Sequence, residues 1–416
     1  MYVNLKYEPE KNDLICEFRI EPSKGISIEK AAESIAAESS VGTWTEVKTM
    51  SDRIRKLGAK VFDIKGNCVK IAYPLELFEP GNMSQILSSI AGNIFGMKAI
   101  KNLRLEDVEW PYELMKSFKG PIYGIEGIRK LLRISKRPLC GTIIKPKLGL
   151  NEEEHAKVAY DAWTGGIDIV KDDENLSNLS FNKFEKRIIE TLKMRDDAEK
   201  ETGERKMYMP NITAEIDDML ERANFVKGAG GEYVMVDIIT VGWSALETLR
   251  NANEDLKLVL HAHRAGHAAF TRGKHGVSML VIADIARLIG MDQLHIGTII
   301  GKMEGVKEEI LAIEEEIEKS IIREGSHHLA ENWHNVKPVF AVCSGGLHPG
   351  MIPYLVKNLG NDIIIQAGGG VHGHPFGTKA GAKAMRQAID SVMNNIPIKD
   401  YSKKNKELKL ALETWK

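Results

Sequence analysis

From Arg137 onward the sequence alternates strictly between short apolar segments and longer amphipathic ones. The apolar segments, rich in Val, Ile and Leu, predict buried strands, and the amphipathic segments predict helices. Eight such pairs predict a (β/α)₈ TIM barrel, an α/β fold. A doubly wound open sheet is the alternative, because strand number alone does not establish closure. The predicted strands are Pro138–Lys145, Ile167–Lys171, Met207–Thr213, Tyr233–Thr240, Leu256–His263, Gln293–Ile300, Pro338–Ser344 and Ile363–Gly368.

The residues before this alternation follow a different pattern. Up to about Pro111, strand-like segments are interleaved with only two helical patterns, which predicts an α+β domain of the ferredoxin-like type, with helices on one face of an antiparallel sheet. We predict domain boundaries at 1–115 for this N-terminal domain, 116–136 for a linker and 137–416 for the barrel. The strand-like segments are Asp13–Ile20, Thr43–Thr49, Lys60–Asp63, Val69–Pro74 and Leu103–Trp110, and the helical ones are Ser27–Ala37 and Met83–Gly92.

Composition excludes several classes of partner. A formal net charge of −1, with acidic and basic residues interspersed, predicts no attraction to nucleic acid or to an anionic membrane. The sequence contains neither a signal peptide nor an apolar window of transmembrane length, so we expect a soluble, cytoplasmic protein. The 4 cysteines are scattered without the spacing of a metal site and are expected to be reduced.

One predicted strand ends in a concentration of charge. Within Gly165–Asn175, an apolar run is followed at once by Lys171, Asp172, Asp173 and Glu174. A solvated turn is the simpler interpretation of such a run taken alone. In a closed barrel, however, the carboxyl ends of all strands meet on one face, where enzymes of this fold keep their reactive groups. The run therefore predicts carboxylates placed to bind a hard cation.

Two other predicted strands also end in chemically capable groups. Lys145 and Lys147 stand at i and i+2 and point the same way across the pleat, where they could stabilise an enolate or transfer a proton. His261 and His263 share a strand face, a spacing that also suits zinc in a barrel hydrolase. The adjacent Arg264 favours an anionic ligand such as phosphate instead, and histidines satisfied within the core are the plainer alternative.

The last strands end in glycine and in a lysine flanked by glycine. Lys302 lies between glycines, which predicts a cation on a mobile loop. Ser344–Gly346 and Gln366–Gly370 follow the last two strands, where this fold usually binds phosphate through backbone N–H groups. Together these groups predict a metal-assisted reaction on a small, phosphorylated molecule, and leave open a magnesium enolising enzyme or a zinc hydrolase.

Four stretches of this sequence also carry a family resemblance. They are similar to signatures of the large subunit of ribulose-1,5-bisphosphate carboxylase/oxygenase (RuBisCO), in particular the archaeal type known as form III. The resemblance extends from the N-terminal domain to nearly the last residue. The stretches are Gly141–Gly149, Gly165–Asn175, His261–His267 and Gly297–Gly305.

The resemblance implies a specific role for each charged residue of the predicted site. Lys171 matches the lysine that carbon dioxide converts to a carbamate, and Asp173 and Glu174 match the carboxylates that bind Mg²⁺ with it. Lys145 matches the acid/base that forms the enediol and later protonates the product, and Lys147 matches its partner.

The remaining matches surround the bisphosphate. His263 corresponds to a histidine that assists proton transfer, and Lys302 to the loop lysine that closes over the substrate. In the family, residues of the N-terminal domain complete the site of a neighbouring subunit, which implies a homodimer or a larger assembly of dimers. The implied substrate-binding residues are Glu38, Thr43, Trp44 and Asn93 in the N-terminal domain, and Arg264, His295, Ser344, Gly346, Gly368 and Gly369 in the barrel.

The implied reaction is the Mg²⁺-dependent addition of CO₂, or of O₂ as a side reaction, to ribulose 1,5-bisphosphate, giving 3-phosphoglycerate with CO₂. The archaeal type implies a role in salvage of ribose phosphates from AMP and no small subunit. A RuBisCO-like enolase or isomerase of sulfur salvage is the alternative function. A metal-dependent hydrolase and a non-catalytic scaffold are weaker alternatives.

Overall fold

The structure is a computed structural model that describes residues 2–43, 45, 47–300, 307–325 and 328–415. Its contacts divide the chain into two units. The first comprises Met1–Gly120, Gly266–Ile289 and Lys319–Val336, and the second comprises Pro121–Ala265, Gly290–Glu318 and Lys337–Lys416. The predicted linker and domain boundaries remain predictions.

The described residues form strands and helices in the following order along the chain. The strands are β1 (Leu14–Pro22), β2 (Lys60–Lys65), β3 (Cys68–Tyr73), β4 (Ile100–Glu109), β5 (Leu139–Ile143), β6 (Ile169–Lys171), β7 (Met207–Met209), β8 (Tyr233–Asp237), β9 (Val259–His263), β10 (Gly276–Val277), β11 (Gln293–Gly297), β12 (Ile321–Ile322), β13 (Glu331–Asn332), β14 (Phe340–Ser344) and β15 (Ile363–Gln366). The helices are α1 (Ile28–Glu38), α2 (Asp52–Lys56), α3 (Met83–Ile90), α4 (Tyr112–Met115), α5 (Gly124–Leu132), α6 (Glu152–Thr164), α7 (Phe184–Thr202), α8 (Ile216–Gly228), α9 (Ile238–Val241), α10 (Trp243–Leu256), α11 (Ala268–Thr271), α12 (Met279–Ile289), α13 (Lys307–Glu318), α14 (Ile352–Leu359), α15 (Gly369–His372), α16 (Gly377–Met393), α17 (Ile398–Ser402) and α18 (Lys406–Thr414).

The first unit is built on a sheet of order β10-β4-β1-β3-β2, in which β1 to β4 pair antiparallel and β10 joins β4 in parallel. Helix α1 begins at its N-cap Ser27 and packs its buried alanines and Ile35 against β1 and β2. The order β4-β1-β3-β2, with helices in the two crossovers, is the ferredoxin-like arrangement, so the predicted α+β class is confirmed.

One predicted strand of this unit is wrong. The described residues of Thr43–Thr49 form bends and turns, and a short helix, α2, follows. The alternation of Thr and Val suggested a strand, but such a propensity forms a strand only where a neighbouring strand offers a free edge.

The second unit contains the eight-stranded parallel sheet, of order β7-β6-β5-β15-β14-β11-β9-β8. A parallel bridge between Asn211, just after β7, and Met235 of β8 brings the two end strands together. The sheet is therefore a nearly closed (β/α)₈ barrel, which confirms the predicted fold and excludes the open-sheet alternative. Each of the eight predicted strands is present and slightly shorter than predicted, so Lys145 lies on the loop that follows β5.

The core of the second unit closes the amino end of this barrel. Helix α5 has the strongest amphipathic pattern around Ile125, Ile128 and Leu132, which pack on apolar residues of the strands. Because this end is filled with apolar side chains, polar groups are concentrated at the opposite, carboxyl end. No helix in the described part of the chain is both long and apolar enough to cross a membrane.

Candidate active site at the carboxyl ends of the barrel strands

A cavity of about 480 Å³ lies at the carboxyl ends of the barrel strands, within the second unit. It brings together residues that are far apart in the sequence, as a convergent barrel face should. The sequence-predicted residues that line it are Lys145, Lys171, Glu174, His263, His295, Ser344, Gly346, Gly368 and Gly369.

Lys171 is the last residue of β6, and its side chain is completely buried. Its Nζ donates a hydrogen bond to the carbonyl oxygen of Asp172 at 2.7 Å. Burial lowers the pKa of Lys171, although the negative charges of Glu174, Asp237 and neighbouring carboxylates act in the opposite direction. A buried lysine of this kind is more readily deprotonated than one in water.

Asp173 is buried beside Lys145. Lys145 Nζ donates to Asp173 Oδ2 at 2.5 Å, and the backbone N–H and side-chain amide of Asn175 donate to Oδ1 at 3.3 and 3.1 Å. Burial alone would raise the pKa of Asp173, but the hydrogen bond and charge of Lys145 hold it below its usual value. The carboxylate is therefore ionised, with its strongest partner a partly exposed lysine.

Asp172 points away from the cavity. Its carboxylate accepts hydrogen bonds from Tyr208 Oη at 2.7 Å, Arg187 Nε at 3.1 Å and the backbone N–H of Asn211 at 3.0 Å. Burial would raise the pKa of Asp172, but the charge of Arg187, followed by His155 and the hydrogen bond from Tyr208, holds it far below its usual value. Arg187 and Tyr208 thus hold Asp172 within the core, which leaves Asp173 and Glu174 as the two carboxylates of the sequence run that a ligand could reach.

His263 joins the site through a carboxylate that the sequence analysis did not single out. Its Nδ1 lies 2.6 Å from Oδ1 of Asp237, the last residue of β8, and its Nε2 lies 3.9 Å from Glu174 Oε2. Because a carboxylate accepts at Nδ1, that nitrogen carries the hydrogen and Nε2 is free to accept a proton. Burial and the charge of Lys171 lower the pKa of His263, against the effect of Asp237. The predicted strand extended to Thr240, so Asp237 lay inside it, and only the observed end of β8 places it at the site.

His295 lies at the centre of a histidine cluster. Its Nδ1 is 2.7 Å from Ser344 Oγ, and its ring meets those of His261 and His263 edge to face, each with a centroid distance of 4.8 Å. Burial and the neighbouring His261 keep the pKa of His295 well below its usual value, so it is neutral. Its Nε2 is buried and has no hydrogen-bond partner within the described ranges.

The glycine loops after β14 and β15 lie against each other. A Cβ atom at Gly370 would lie 2.2 Å from the carbonyl oxygen of Leu347, so only glycine fits there. Gly345 and Gly346 have φ angles of +123° and +78°, values that side chains rarely permit. The two loops therefore present backbone to one end of the cavity, as a phosphate site requires.

Several predicted residues are not among those that line the cavity. Asp173 is one of them: it is buried behind Lys145, which does line the cavity. Lys147 is exposed, whereas Arg264 is partly buried, and its desolvation lowers the pKa of Arg264 to about 10. Three lie in the first unit: Glu38 at the end of α1, Thr43 after it, and the exposed Asn93. Their predicted roles remain predictions. Trp44 and Lys302 lie outside the described residues.

The structure adds cavity residues that sequence reasoning missed. His348, Leu347 and Trp415 contribute to the lining. His348 and Leu347 follow directly after the glycines of a predicted site, which was a usable signal. Trp415 is separated from every motif, and only the packing of α18 brings it near.

The available ligands fit a hard cation better than zinc. Asp173 and Glu174 place carboxylate oxygens, the ligands that Mg²⁺ prefers, near Lys171, whose pKa their charges raise. His261 is completely buried, bonds Gln293 Oε1 through Nδ1 at 2.9 Å and does not line the cavity. The zinc interpretation of His261 and His263 therefore finds no support.

Comparison with known proteins identifies the same family for both parts of the chain. Residues 1–114 match the family profile described as ribulose bisphosphate carboxylase large chain, N-terminal domain. Residues 124–415 match the corresponding catalytic domain. The two matches together span nearly the whole sequence.

Full-length relatives and solved structures agree with these matches. The chain is 53% identical to ribulose bisphosphate carboxylase of Methanocaldococcus jannaschii over the full length of both, and 51% identical to that of Methanosarcina mazei, covering all of this chain and 98% of the relative. It is similar to the dimeric archaeal Rubisco of Hyperthermus butylicus, with a TM-score of 0.94, 47% identity and coverage of 100% and 98%. The octameric enzyme of Pyrococcus horikoshii gives a TM-score of 0.91 at 48% identity, with coverage of 99% and 97%. The chain therefore belongs to the ribulose bisphosphate carboxylase large chain family.

Proposed function

We propose that this chain is a ribulose-1,5-bisphosphate carboxylase. The observation that carries the proposal is the buried Lys171 beside Asp173 and Glu174 at the carboxyl end of the barrel, in a chain about half identical to full-length enzymes of that name. The reaction joins CO₂ to the enediol of the bisphosphate, and hydration and C–C cleavage then give two molecules of 3-phosphoglycerate. Oxygen competes for the same enediol and gives an oxygenase side reaction.

We infer that Lys171 becomes a metal ligand by reaction with CO₂. Its neutral Nζ attacks the carbon of CO₂ and loses a proton, which replaces an ammonium by an anionic carbamate next to Asp173 and Glu174. The chemistry of the site supports this inference, because an ammonium beside Asp173 and Glu174 would repel Mg²⁺, whereas a carbamate offers an anionic oxygen to an ion that prefers oxygen ligands. When bound, Mg²⁺ supplies electrostatic stabilisation of the oxygen anions that develop on the substrate.

Lys145 and His263 are the proposed proton-transfer groups. Lys145 Nζ reaches the cavity from the loop after β5 and is held there by Asp173. His263 presents Nε2 to the cavity while Asp237 fixes the ring through Nδ1, an arrangement suited to accepting a proton near C3 of the substrate. Lys147 and Lys302 are assigned by the family motif to polarising the reacting centre and to covering the added carboxylate.

The two phosphates are proposed to bind at opposite sides of the cavity. His295 and Ser344, joined by a hydrogen bond, form one set of polar contacts, with Arg264 assigned to the same phosphate. The backbone of Gly346, Gly368 and Gly369 supplies N–H donors, mostly for the other phosphate.

The proposed assembly is a homodimer or a larger arrangement of dimers, without a small subunit. Dimeric and octameric neighbours support it. Glu38, Thr43, Trp44 and Asn93 are then proposed to complete the site of a neighbouring subunit. The proposed physiological role is salvage of ribose phosphates derived from AMP. No observation favours the sulfur-salvage enolase or the scaffold.

Incorporation of labelled CO₂ into 3-phosphoglycerate tests the function, after anaerobic preincubation with Mg²⁺ and bicarbonate. We expect turnover by the wild type and none by Lys171→Met. The matched control is Lys206→Met, which removes an equally buried lysine at the opposite end of the barrel, where its Nζ bonds Ile167 O at 3.0 Å and Glu204. That variant should keep kcat within about threefold wherever it is folded. Absence of product from folded wild type would reject the proposal.

A further inference from the structure

Trp415 lies beside both glycine-rich segments of the cavity. Its indole stacks on the ring of His348, in the loop after β14, with a centroid distance of 5.9 Å and an interplanar angle of 29°. On the other side, a Cβ atom at Gly373, just after α15, would lie 3.7 Å from Cζ2 of Trp415. The indole therefore lies between the loop after β14 and the far end of α15, the short helix that continues the loop after β15, and it also lines the cavity itself.

Helix α18 ends directly before Trp415 and is firmly packed on the barrel. Leu408 and Ala411 are completely buried, and α18 packs along α16. Glu407 accepts hydrogen bonds from Lys383 Nζ and Gln387 Nε2, each at 3.0 Å. Such anchoring limits the freedom of the residue that follows the helix, so the position of Trp415 is set by the fold rather than by the loops it touches.

A second histidine ring, that of His374, also lies beside the indole. His374 lies 6.4 Å from Trp415, centroid to centroid. Its Nδ1 accepts from the backbone N–H of Phe376 and its Nε2 donates to the carbonyl oxygen of Glu407, both at 3.1 Å. Since both ring nitrogens are engaged, His374 is fixed in one orientation and ties the segment after α15 to α18.

We propose that Trp415 is a positioning residue for the phosphate subsite formed by the loops after β14 and β15. The indole keeps the two loops at the spacing at which their backbone N–H groups converge on one anion, and it excludes water from that end of the cavity. The inference rests on the proposed function for the identity of the substrate, and on the packing alone for the existence of an anion subsite.

The kinetic test compares Trp415→Ala with Trp415→Phe and with the control Phe376→Ala. Phe376 is also an aromatic neighbour of His374, at 6.0 Å, but it is 67% exposed and does not line the cavity. Trp415→Ala should raise KM for ribulose 1,5-bisphosphate about tenfold, which corresponds to ~1.4 kcal/mol. Its kcat should change less than threefold, because no group that contacts the reacting atoms is removed. Trp415→Phe should recover most of the KM, and Phe376→Ala should match the wild type.

The proposal would be overturned if Trp415→Ala and Phe376→Ala lowered kcat and raised KM to the same extent. Such equal effects would indicate general destabilisation. An unchanged KM in folded Trp415→Ala would also overturn it.

A binding measurement separates this proposal from the proposed function. Inorganic phosphate is titrated into wild type and Trp415→Phe, and the difference in tryptophan fluorescence isolates the signal of one indole among the 6 in the chain. We expect a saturable change that competes with ribulose 1,5-bisphosphate. A saturable change without carboxylase turnover would support the anion subsite while rejecting the proposed function. A wild type that turns over substrate with no response from Trp415 would reject the role of Trp415 alone.

Discussion

The two ends of the strand β6 carry buried carboxylates in opposite circumstances. At the amino end, Asp168 meets Arg137 through two hydrogen bonds of 2.6 and 2.7 Å and accepts a third, at 2.8 Å, from the backbone N–H of Cys140. Arg386 adds a further positive charge at 3.6 Å. At the carboxyl end, Asp173 is paired with the partly exposed Lys145, and the ion pair found for Glu174 within the described ranges is to His263, at 3.9 Å.

This difference separates structural charge from reactive charge. A carboxylate whose lone pairs are all engaged by buried donors fixes the geometry around it and cannot exchange partners cheaply. A carboxylate paired with a partly exposed lysine can exchange that lysine for a metal ion or a substrate group. Barrels of this type hold their stability at the amino end and their chemistry at the carboxyl end, and the residues that flank β6 show both, with Asp168 and Asp173 five positions apart.

The largest expected effect comes from the carboxyl end. Asp173→Asn should lower kcat/KM for ribulose 1,5-bisphosphate by about 10³-fold, or ~4 kcal/mol, because a proposed metal ligand loses its charge. The free energy of unfolding should change little, since Lys145 is partly exposed and can be hydrated. Steady-state carboxylation and urea unfolding on the same preparation measure both quantities. Near-normal activity would remove Asp173 from the metal site.

Asp168→Asn should give the opposite result. Removing its charge leaves Arg137 and Arg386 close together without their shared anion, which should reduce the free energy of unfolding by about 3 kcal/mol. Well below the unfolding transition, kcat should stay within about twofold of wild type. Urea unfolding at fixed protein concentration and the carboxylation assay test the pair of outcomes. A loss of activity in fully folded protein would break the proposed separation of the two ends.

Sequence reasoning predicted the barrel and most of the cavity for a physical reason. Strand periodicity is local, and in a closed barrel it determines which residues meet, so Lys171, His263 and the glycine loops could be placed together in advance. Three further expectations came only from the family resemblance and not from the pattern of residues. They are the form III type, the carbamate on Lys171 and the residues that complete the partner subunit's site.

The structure adds to the sequence analysis where tertiary contacts decide the position of a side chain. Asp172 looked equivalent to Asp173 in the sequence, but Arg187 and Tyr208 hold it in the core. Lys147 shares a predicted face with Lys145, yet β5 ends at Ile143, so the pleat no longer governs either lysine. Trp415 carries no motif at all. Such contacts depend on residues distant in sequence, and no local pattern encodes them.

The smallest expected effect concerns His372, which tests the comparison between structural and reactive groups. His372 lies at the carboxyl end of the barrel, but its hydrogen bonds are like those of a structural group. Its Nε2 is 3.0 Å from Thr142 Oγ1, and its Nδ1 is 3.0 Å from Thr378 Oγ1. Thr142 gives its own hydrogen to the carbonyl oxygen of Ala367, so His372 must donate to it through Nε2. Burial, together with the charge of Lys145, lowers the pKa of His372 to about 4. By its bonding, this residue should affect stability rather than chemistry.

The pH dependence of unfolding shows which description holds. A histidine whose pKa is lower in the folded than in the unfolded chain contributes stability that is complete above the unfolded value, about 6.5, and is lost as the pH falls toward 4. At pH 5 the loss from His372 should be roughly 2 kcal/mol. His372→Gln lacks this titration, so its free energy of unfolding should fall by about that much less than the wild type between pH 7.5 and pH 5 in urea unfolding. The other buried histidines titrate in both proteins and cancel. Equal losses of unfolding free energy in the two proteins would show that His372 is not held neutral by the fold. Full hydrogen bonding would then not identify a structural group at the carboxyl end of the barrel.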